Sequence, residues 1–196
     1  MLKKDLRKEF LAKRKALTDS ELAAFSQKIC DKLFQSFPIH SYANIHIFLP
    51  IKKQKEIDTW LIINTLRKDF PHLNIIIPRI AGDGEMENYL LNSETKFEEN
   101  KWQIIEPIRN PKSEIRNSEI DLVILPLLIF DKNGYRVGYG KGFYDKFLAK
   151  CRTDILKIGL SVFEPINEIE DVNEFDIKMN FCVTPNRIWT FAERRP

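Results

Sequence analysis

The sequence predicts an α/β protein of three layers, with a mostly parallel sheet of about six strands flanked by helices. Three observations carry that expectation. Short β-rich runs alternate with segments of helical periodicity along the chain. The strand candidates are apolar nearly throughout, as strands buried on both faces are. The 196 residues, 43% of them hydrophobic, supply one good core and are marginal for two, so a single domain over residues 1–196 is expected.

Leu2, Leu6, Phe10 and Leu17 recur close to the helical period, which predicts an amphipathic helix to about residue 17. Lys3, Arg7 and Arg14, spaced four and seven apart, fall on one face beside that apolar stripe. Thr18 and Glu21 match a capping box, and Leu22, Phe25, Ile29, Leu33 and Phe37 line one side of a second helix that Pro38 ends. Residues 45–49, β-rich and stopped by Pro50, read as a strand. Ile57, Trp60, Leu61 and residues 64–66 suit a helix, and residues 75–77 before Pro78 a second buried strand. From 82 to about 105 the chain is more polar, with Asp83-Gly84 as a turn signal; a short hairpin or irregular strands are expected there. Residues 110–118 read as a loop and 122–129 as the strongest strand. Residues 143–151 look helical, and 156–162 and 181–184 are further strands.

Composition narrows the class. With 30% charged and 11% aromatic residues the chain is neither disordered, collagen-like nor membrane-embedded. Its longest apolar run, residues 122–130, falls well short of the roughly 18–20 residues of a membrane span. The N-terminus is charged from its third residue and has no signal-peptide core. Cys30, Cys151 and Cys182 are widely separated and odd in number, so no disulfide framework is expected. A soluble cytoplasmic protein with no membrane partner follows. His40, His46 and His72 lack metal-ligand spacing. The net charge of +3 is uneven: residues 1–15 carry seven Lys or Arg against Asp5 and Glu9. Such a run is either a solvated helix face or a patch for an anionic partner, nucleic acid or a nucleotide phosphate. Aromatics at core spacing, rather than interleaved with exposed basic residues, argue against nucleic acid.

Glycine is scarce and concentrated. The chain has seven, where average usage would give about 14. Four of them, Gly134, Gly138, Gly140 and Gly142, fall within nine residues, between a buried strand and a helix. That arrangement lets backbone N–H groups converge on phosphate, with Lys141 as a point charge and Asp145 as a hard oxygen ligand for Mg²⁺. It is neither familiar nucleotide loop. Lys141 is followed by Gly142 rather than Ser or Thr, and the third glycine comes too early for G-x-G-x-x-G. A phosphate cradle and a structural turn both remain open on spacing alone, and Asp131 and Gly134, in the run Asp-Lys-Asn-Gly, suit an ordinary tight turn.

The run from Phe130-Asp131 through Gly134, Arg136, Gly138, Gly140-Lys141-Gly142 and Tyr144-Asp145 resembles the signature of the 5-formyltetrahydrofolate cyclo-ligase (5,10-methenyltetrahydrofolate synthetase) family. The likeness continues in order along nearly the whole chain: Lys3, Leu6, Arg7 and Arg14; Phe48-Leu49 with Glu56-Ile57 and Thr59; Pro78-Arg79-Ile80, Met86, and Trp102 with Glu106-Pro107; Ile158-Gly159-Leu160, Asp176 and Val183-Thr184. The resemblance implies a fold of the ribose-phosphate isomerase and CoA-transferase type. It implies conversion of 5-formyltetrahydrofolate to 5,10-methenyltetrahydrofolate using ATP and Mg²⁺, with ADP and phosphate released. The partners would be these two small molecules, and the protein a monomer or weak homodimer.

The family comparison also implies residue roles. Lys3, Lys4, Asp5, Leu6, Arg7 and Arg14 would meet ATP together with Arg136, Val137, Gly138, Tyr139, Gly140, Lys141, Gly142, Phe143 and Tyr144. Lys141 and Arg136 would be catalytic, stabilising the transferred charge. Leu49, Glu56 and Trp102 would hold the folate with Tyr139, Gly140, Lys141, Gly142 and Phe143. Asp145 and Asp176 would be the Mg²⁺ ligands. The chain departs from the pattern at Tyr139, where many relatives carry Arg, at Met179-Asn180, where Leu-Asp is common, and at Pro185, a frequent Glu. Lys52, Lys53 and Lys55 lie where they would attract the folate's glutamate tail.

Overall fold

A computed structural model describes residues 1–81, 85–100 and 104–191. Its elements are, in order, α1 (Lys3–Ala16), α2 (Asp19–Ser36), β1 (Asn44–Ile47), α3 (Trp60–Asp69), β2 (Asn74–Ile80), β3 (Met86–Leu90), β4 (Phe97–Glu99), β5 (Ile105–Pro107), β6 (Leu122–Pro126), β7 (Ile129–Phe130), β8 (Arg136–Val137), α4 (Phe143–Ala149), β9 (Leu156–Leu160), β10 (Phe181–Val183) and β11 (Ile188–Thr190). The capping box forms as the sequence predicts: the Thr18 hydroxyl accepts from Glu21 N at 3.1 Å, and the Glu21 carboxylate accepts from Thr18 N at 2.8 Å.

The main sheet has seven strands in the order β11-β10-β9-β6-β1-β2-β3. The five inner strands are parallel, while β3 and β11 close the two edges antiparallel to β2 and β10. The seventh strand, β11, has three residues and among the described residues pairs only with β10, so no periodicity announces it. The expected strand over 122–129 is interrupted: β6 ends at Pro126, and β7 pairs with β8 in a separate two-stranded ribbon. Residues 105–107 form a hairpin with 97–99, as the polar stretch predicts, whereas Asp83 and Gly84 lie outside the described residues.

Side-chain alternation explains why the strands read as continuously apolar. Ile45, Ile47, Ile75, Ile77, Leu122 and Ile124 pack with Ile29 and Leu33 of α2 and Ile62, Ile63 and Leu66 of α3. Ile76, Val123 and Leu125 pack instead with Phe147 and Leu148 of α4. Leu6 and Phe10 of α1 form a third cluster with Leu128, Ile129 and Val137 around β7 and β8. His46 on β1 is fully buried, 4.7 Å from the Phe147 ring, and burial pushes its pKa down to about 3, so it is a neutral core side chain at physiological pH. Among the described residues no helix is long and apolar enough to cross a membrane.

The strand order sets the site. From β1 the chain winds outward to β2 and β3, then returns to lay β6, β9 and β10 on the other side of β1. The order reverses between β1 and β6, and in such sheets the crevice beyond the carboxyl ends of the strands at that point is where ligands bind.

Candidate functional site

A cavity of about 520 Å³ occupies that crevice. The chain just beyond β1 supplies Phe48 and Leu49, β2 supplies Pro78 and Ile80, and the end of β6 supplies Pro126 and Leu127. Helix α1 contributes Lys3 and Arg7 from above, and the whole run from Arg136 to Asp145 lines the cavity beside Asp176. The pocket therefore joins a cationic glycine loop to an apolar chamber.

Helical geometry sorts the N-terminal residues. Lys3 and Arg7, one turn apart, face the cavity. Lys4 and Asp5 are exposed and outside its lining, and Leu6 is fully buried in the cluster against β7 and β8, so the structure does not bring these three to the site. Arg7 Nε donates to the Gly138 carbonyl at 3.0 Å, and its guanidinium lies so close to Gly140 that a Cβ there would sit 2.9 Å from Arg7 Cζ. Gly140 adopts φ +85° and Gly142 φ +69°, the left-handed region that favours glycine. Gly134, at φ +91°, belongs to the turn that precedes the loop. The fully buried Asp131 organises that turn, accepting from Asn133 N and Tyr135 N at 3.0 and 2.9 Å and from Ile169 N at 3.1 Å.

Arg14 lies behind the loop rather than in the cavity. It is 4% exposed, donates to the Leu127 carbonyl at 3.1 Å, and donates also to the Tyr139 hydroxyl. That hydroxyl in turn donates to Glu56 Oε1 at 2.8 Å, while Glu56 Oε2 accepts from Ile51 N at 2.8 Å. Glu56 is 5% exposed and lines the cavity; burial raises its carboxyl pKa, opposed by Arg14 and by the two hydrogen bonds. The Tyr139 phenol is likewise pushed up, by burial and then by the Glu56 charge. Lys141 is exposed on the cavity rim with no hydrogen bond or ion pair among the described residues.

The two carboxylates expected to meet Mg²⁺ both reach the cavity. Asp145 Oδ1 accepts from Arg136 Nη2 at 2.9 Å and from Ile177 N at 3.1 Å, and the buried Arg136 also donates to the Ile177 carbonyl at 2.6 Å. Asp176 Oδ2 pairs with Lys3 and accepts from Asn173 N at 2.7 Å. Among the described residues no three His, Cys, Asp or Glu side chains gather to hold a metal by themselves. Mg²⁺, however, usually takes only one or two carboxylates and fills its octahedron with phosphate oxygens and water. Each of these aspartates has its second oxygen uncommitted among the described residues, so each keeps an oxygen of the type that ion takes. Asn180, in the place of a common Asp, accepts from Lys157 N at 2.9 Å and joins β9 to β10.

Trp102 lies outside the described residues. Lys55 is tied to the junction of α1 and α2, donating to the Leu17 carbonyl and pairing with Asp19 at 3.3 Å. Most lining residues not singled out from sequence for this site are apolar, such as Ile104, Ile105 and Leu127; Gln54 and Glu106 are polar exceptions. The signal that finds them is the strand order, not their own types.

Fold and site together define an α/β enzyme whose switch-point pocket sets a cationic glycine loop beside an apolar chamber. The particular family follows from comparison with known proteins: the chain belongs to the 5-formyltetrahydrofolate cyclo-ligase family, whose sequence model matches residues 1–185. It is 30% identical over 186 residues to the 5-formyltetrahydrofolate cyclo-ligase of Mycoplasma genitalium, covering 92% of this chain and 97% of that one. It is 28% identical over 180 residues to the enzyme of the same name from Escherichia coli K12, covering 90% and 97%. The NMR structure of Aquifex aeolicus 5,10-methenyltetrahydrofolate synthetase aligns with a TM-score of 0.83 at 27% identity, over 100% of this chain and 96% of that one. The protein is a ligase of folate chemistry.

Proposed function

We propose that the chain, acting as a single catalytic domain, cyclises 5-formyltetrahydrofolate to 5,10-methenyltetrahydrofolate with ATP and Mg²⁺, releasing ADP and phosphate. The observation that supports this most is that one cavity unites Lys3, Arg7, Arg136 and Lys141 with the apolar side chains at the ends of β1, β2 and β6. The first set suits a nucleotide's phosphates and the second a pterin and its aromatic extension.

The formamide oxygen on N5 is a poor leaving group. Transfer of the γ-phosphoryl group to it makes phosphate the leaving group; N10 then attacks the formyl carbon, a C–N bond forms, the C–O bond breaks, and N10 loses its proton. Such transfer needs positioning and charge neutralisation more than a covalent nucleophile. Lys3 and Arg7 hold the nucleotide from α1, and the backbone of residues 138–142 wraps its phosphates. Lys141, free of other partners among the described residues, follows the charge on the transferred group, with Arg136 held in the same cavity wall by Asp145 and the Ile177 carbonyl. Glu56, held toward the cavity by Ile51 and Tyr139, accepts hydrogen bonds from the polar edge of the pterin. Asp145 and Asp176 would hold Mg²⁺, which screens the phosphate charge when bound.

The test is spectrophotometric. Purified protein with 5-formyltetrahydrofolate is expected to show growth of the methenyl product's absorbance band with MgATP and none without it. No rise with MgATP overturns the proposal.

A further inference from the structure

The β4–β5 hairpin forms a two-stranded sheet of its own, outside the seven-stranded one, yet it supplies Ile104, Ile105 and Glu106 to the cavity wall. It is tied to the rest of the fold by Phe97, whose ring meets Trp60 of α3 edge-on at 6.1 Å, and by polar links to β2. Glu98 and Glu106 stand directly opposite each other in the hairpin's register, a like-charged cross-strand pair that would push the two strands apart. Arg79 of β2 answers both. Its Nη1 donates to Glu98 Oε1 at 2.6 Å and to the Pro107 carbonyl at 2.7 Å, and lies 3.5 Å from Glu106 Oε1. The Glu106 side chain is only 5% exposed; its Oε2 accepts from Asn100 Nδ2 at 2.8 Å and from Ile80 N at 3.3 Å. Arg79 itself does not line the cavity.

We propose that Arg79 is a positioning residue of the folate pocket: its guanidinium neutralises two opposed carboxylates and so holds the β4–β5 hairpin, with Ile104, Ile105 and Glu106, as a wall of the cavity. The identity of the ligand rests on the function proposed above; the clamp does not. Because α1 and the glycine loop supply the nucleotide side, loss of the clamp is felt by the folate and not by ATP.

The experiment compares Arg79→Gln, Arg79→Lys and the double variant Arg79→Gln/Glu98→Gln with the parent. Each is read by steady-state kinetics in both substrates and by hydrogen exchange at the hairpin amides of Asn100 and Ile108, which bond to the carbonyls of Ile104 and Lys96. Arg79→Gln is expected to raise KM for 5-formyltetrahydrofolate about tenfold, to leave KM for ATP and kcat within about twofold, and to speed exchange in the hairpin. Arg79→Lys, which keeps the charge, stays within about threefold of the parent. The double variant removes the repulsion along with the cation and recovers much of both signals, an outcome that mere loss of packing would not produce. Equal folate KM in the single and double variants, or a parallel rise in KM for ATP, overturns the proposal. So does faster hairpin exchange with an unchanged folate KM, since the hairpin would then not be part of the substrate wall. If the parent shows no turnover, the proposed function fails while exchange still decides the clamp: suppression by Glu98→Gln upholds it and its absence overturns it. If Arg79→Gln does not fold, folding of the double variant is the same suppression read on stability, and failure of both overturns the proposal.

Discussion

The Tyr139 hydroxyl donates to Glu56 Oε1 at 2.8 Å and so ties the glycine loop to the chain beyond β1, 83 residues away in sequence. Arg14 of α1 donates to the same hydroxyl. Three residues that the family comparison distributes between nucleotide and folate thus form one buried chain of hydrogen bonds. A shift of the glycine loop at Tyr139 would therefore loosen the Glu56 carboxylate across the cavity.

Tyr139→Phe keeps the ring, and with it the face that Arg14 approaches at 5.6 Å, but removes the link. Glu56 and Arg14 each lose a partner while buried, which costs roughly 1–3 kcal/mol. Denaturant unfolding is expected to register that loss, and KM is expected to rise for both substrates. A rise confined to one of them would show that the chain of bonds does not couple the two halves of the pocket.

Lys141→Ala changes an exposed side chain with no partner to lose among the described residues, so circular dichroism and melting temperature should stay at parent values. Turnover should fall about a hundredfold, the scale on which removing one group that stabilises transition-state charge is felt. Retention of parent turnover defeats its assigned role.

Gly140→Ala places a Cβ at φ +85° and 2.9 Å from the Arg7 guanidinium carbon. The backbone strain alone is about 1–2 kcal/mol. Arg7 is long enough to move away, and in doing so it abandons the Gly138 carbonyl and its place over the cavity. The expected outcome is a KM for ATP raised more than the KM for folate, measured by varying each substrate at saturation with the other.

Much of this is legible in the sequence, and what is not has a physical reason. Lys3 and Arg7 are legible because four-residue spacing puts them one turn apart on a helix, and the same rule explains why Lys4 and Asp5 miss the cavity. The glycine loop is legible because left-handed backbone at Gly140 and Gly142 excludes most other residues. Ile80, Ile104 and Leu127 are not, because an apolar residue at a strand end looks the same whether it faces a core or a ligand. Only the convergence of β2, β5 and β6, set by long-range pairing, makes them a wall. The family resemblance assigns Arg14 to ATP; the structure buries it against the Leu127 carbonyl and the Tyr139 hydroxyl, outside the cavity lining, a placement that one helix face does not reveal.

Asp145→Ala separates two roles in one side chain. The carboxylate faces the cavity and also pairs with Arg136, whose own side chain is 5% exposed. Its removal leaves that guanidinium buried with the Ile177 carbonyl as its remaining hydrogen-bond acceptor among the described residues, costing roughly 2–3 kcal/mol. Activity should fall steeply, and raised Mg²⁺ should restore only part of it. A Mg²⁺ dependence identical to the parent's removes Asp145 from the metal ligands while leaving its structural pairing intact.

Glu56 makes stability depend on pH in a definite direction. Burial raises its carboxyl above the ordinary 4.5, so the folded chain holds that proton to higher pH than the unfolded chain does. The stability contributed by the bound proton is present below the ordinary value and is lost as pH rises through the raised one. Glu56→Gln carries no proton to lose, and its amide oxygen still accepts from Ile51 N. The variant also lacks the attraction between Arg14 and ionised Glu56, which opposes the rise in the parent's carboxyl and is outweighed by burial, so it lessens the trend without reversing it. The trend is what identifies the titration. Melting temperature of the variant minus that of the parent is expected to increase between about pH 4 and pH 8, as the parent ionises a buried group and the variant does not. A difference that stays flat over that range would mean that Glu56 ionises in the folded chain as easily as in water, and one that falls that it ionises more easily.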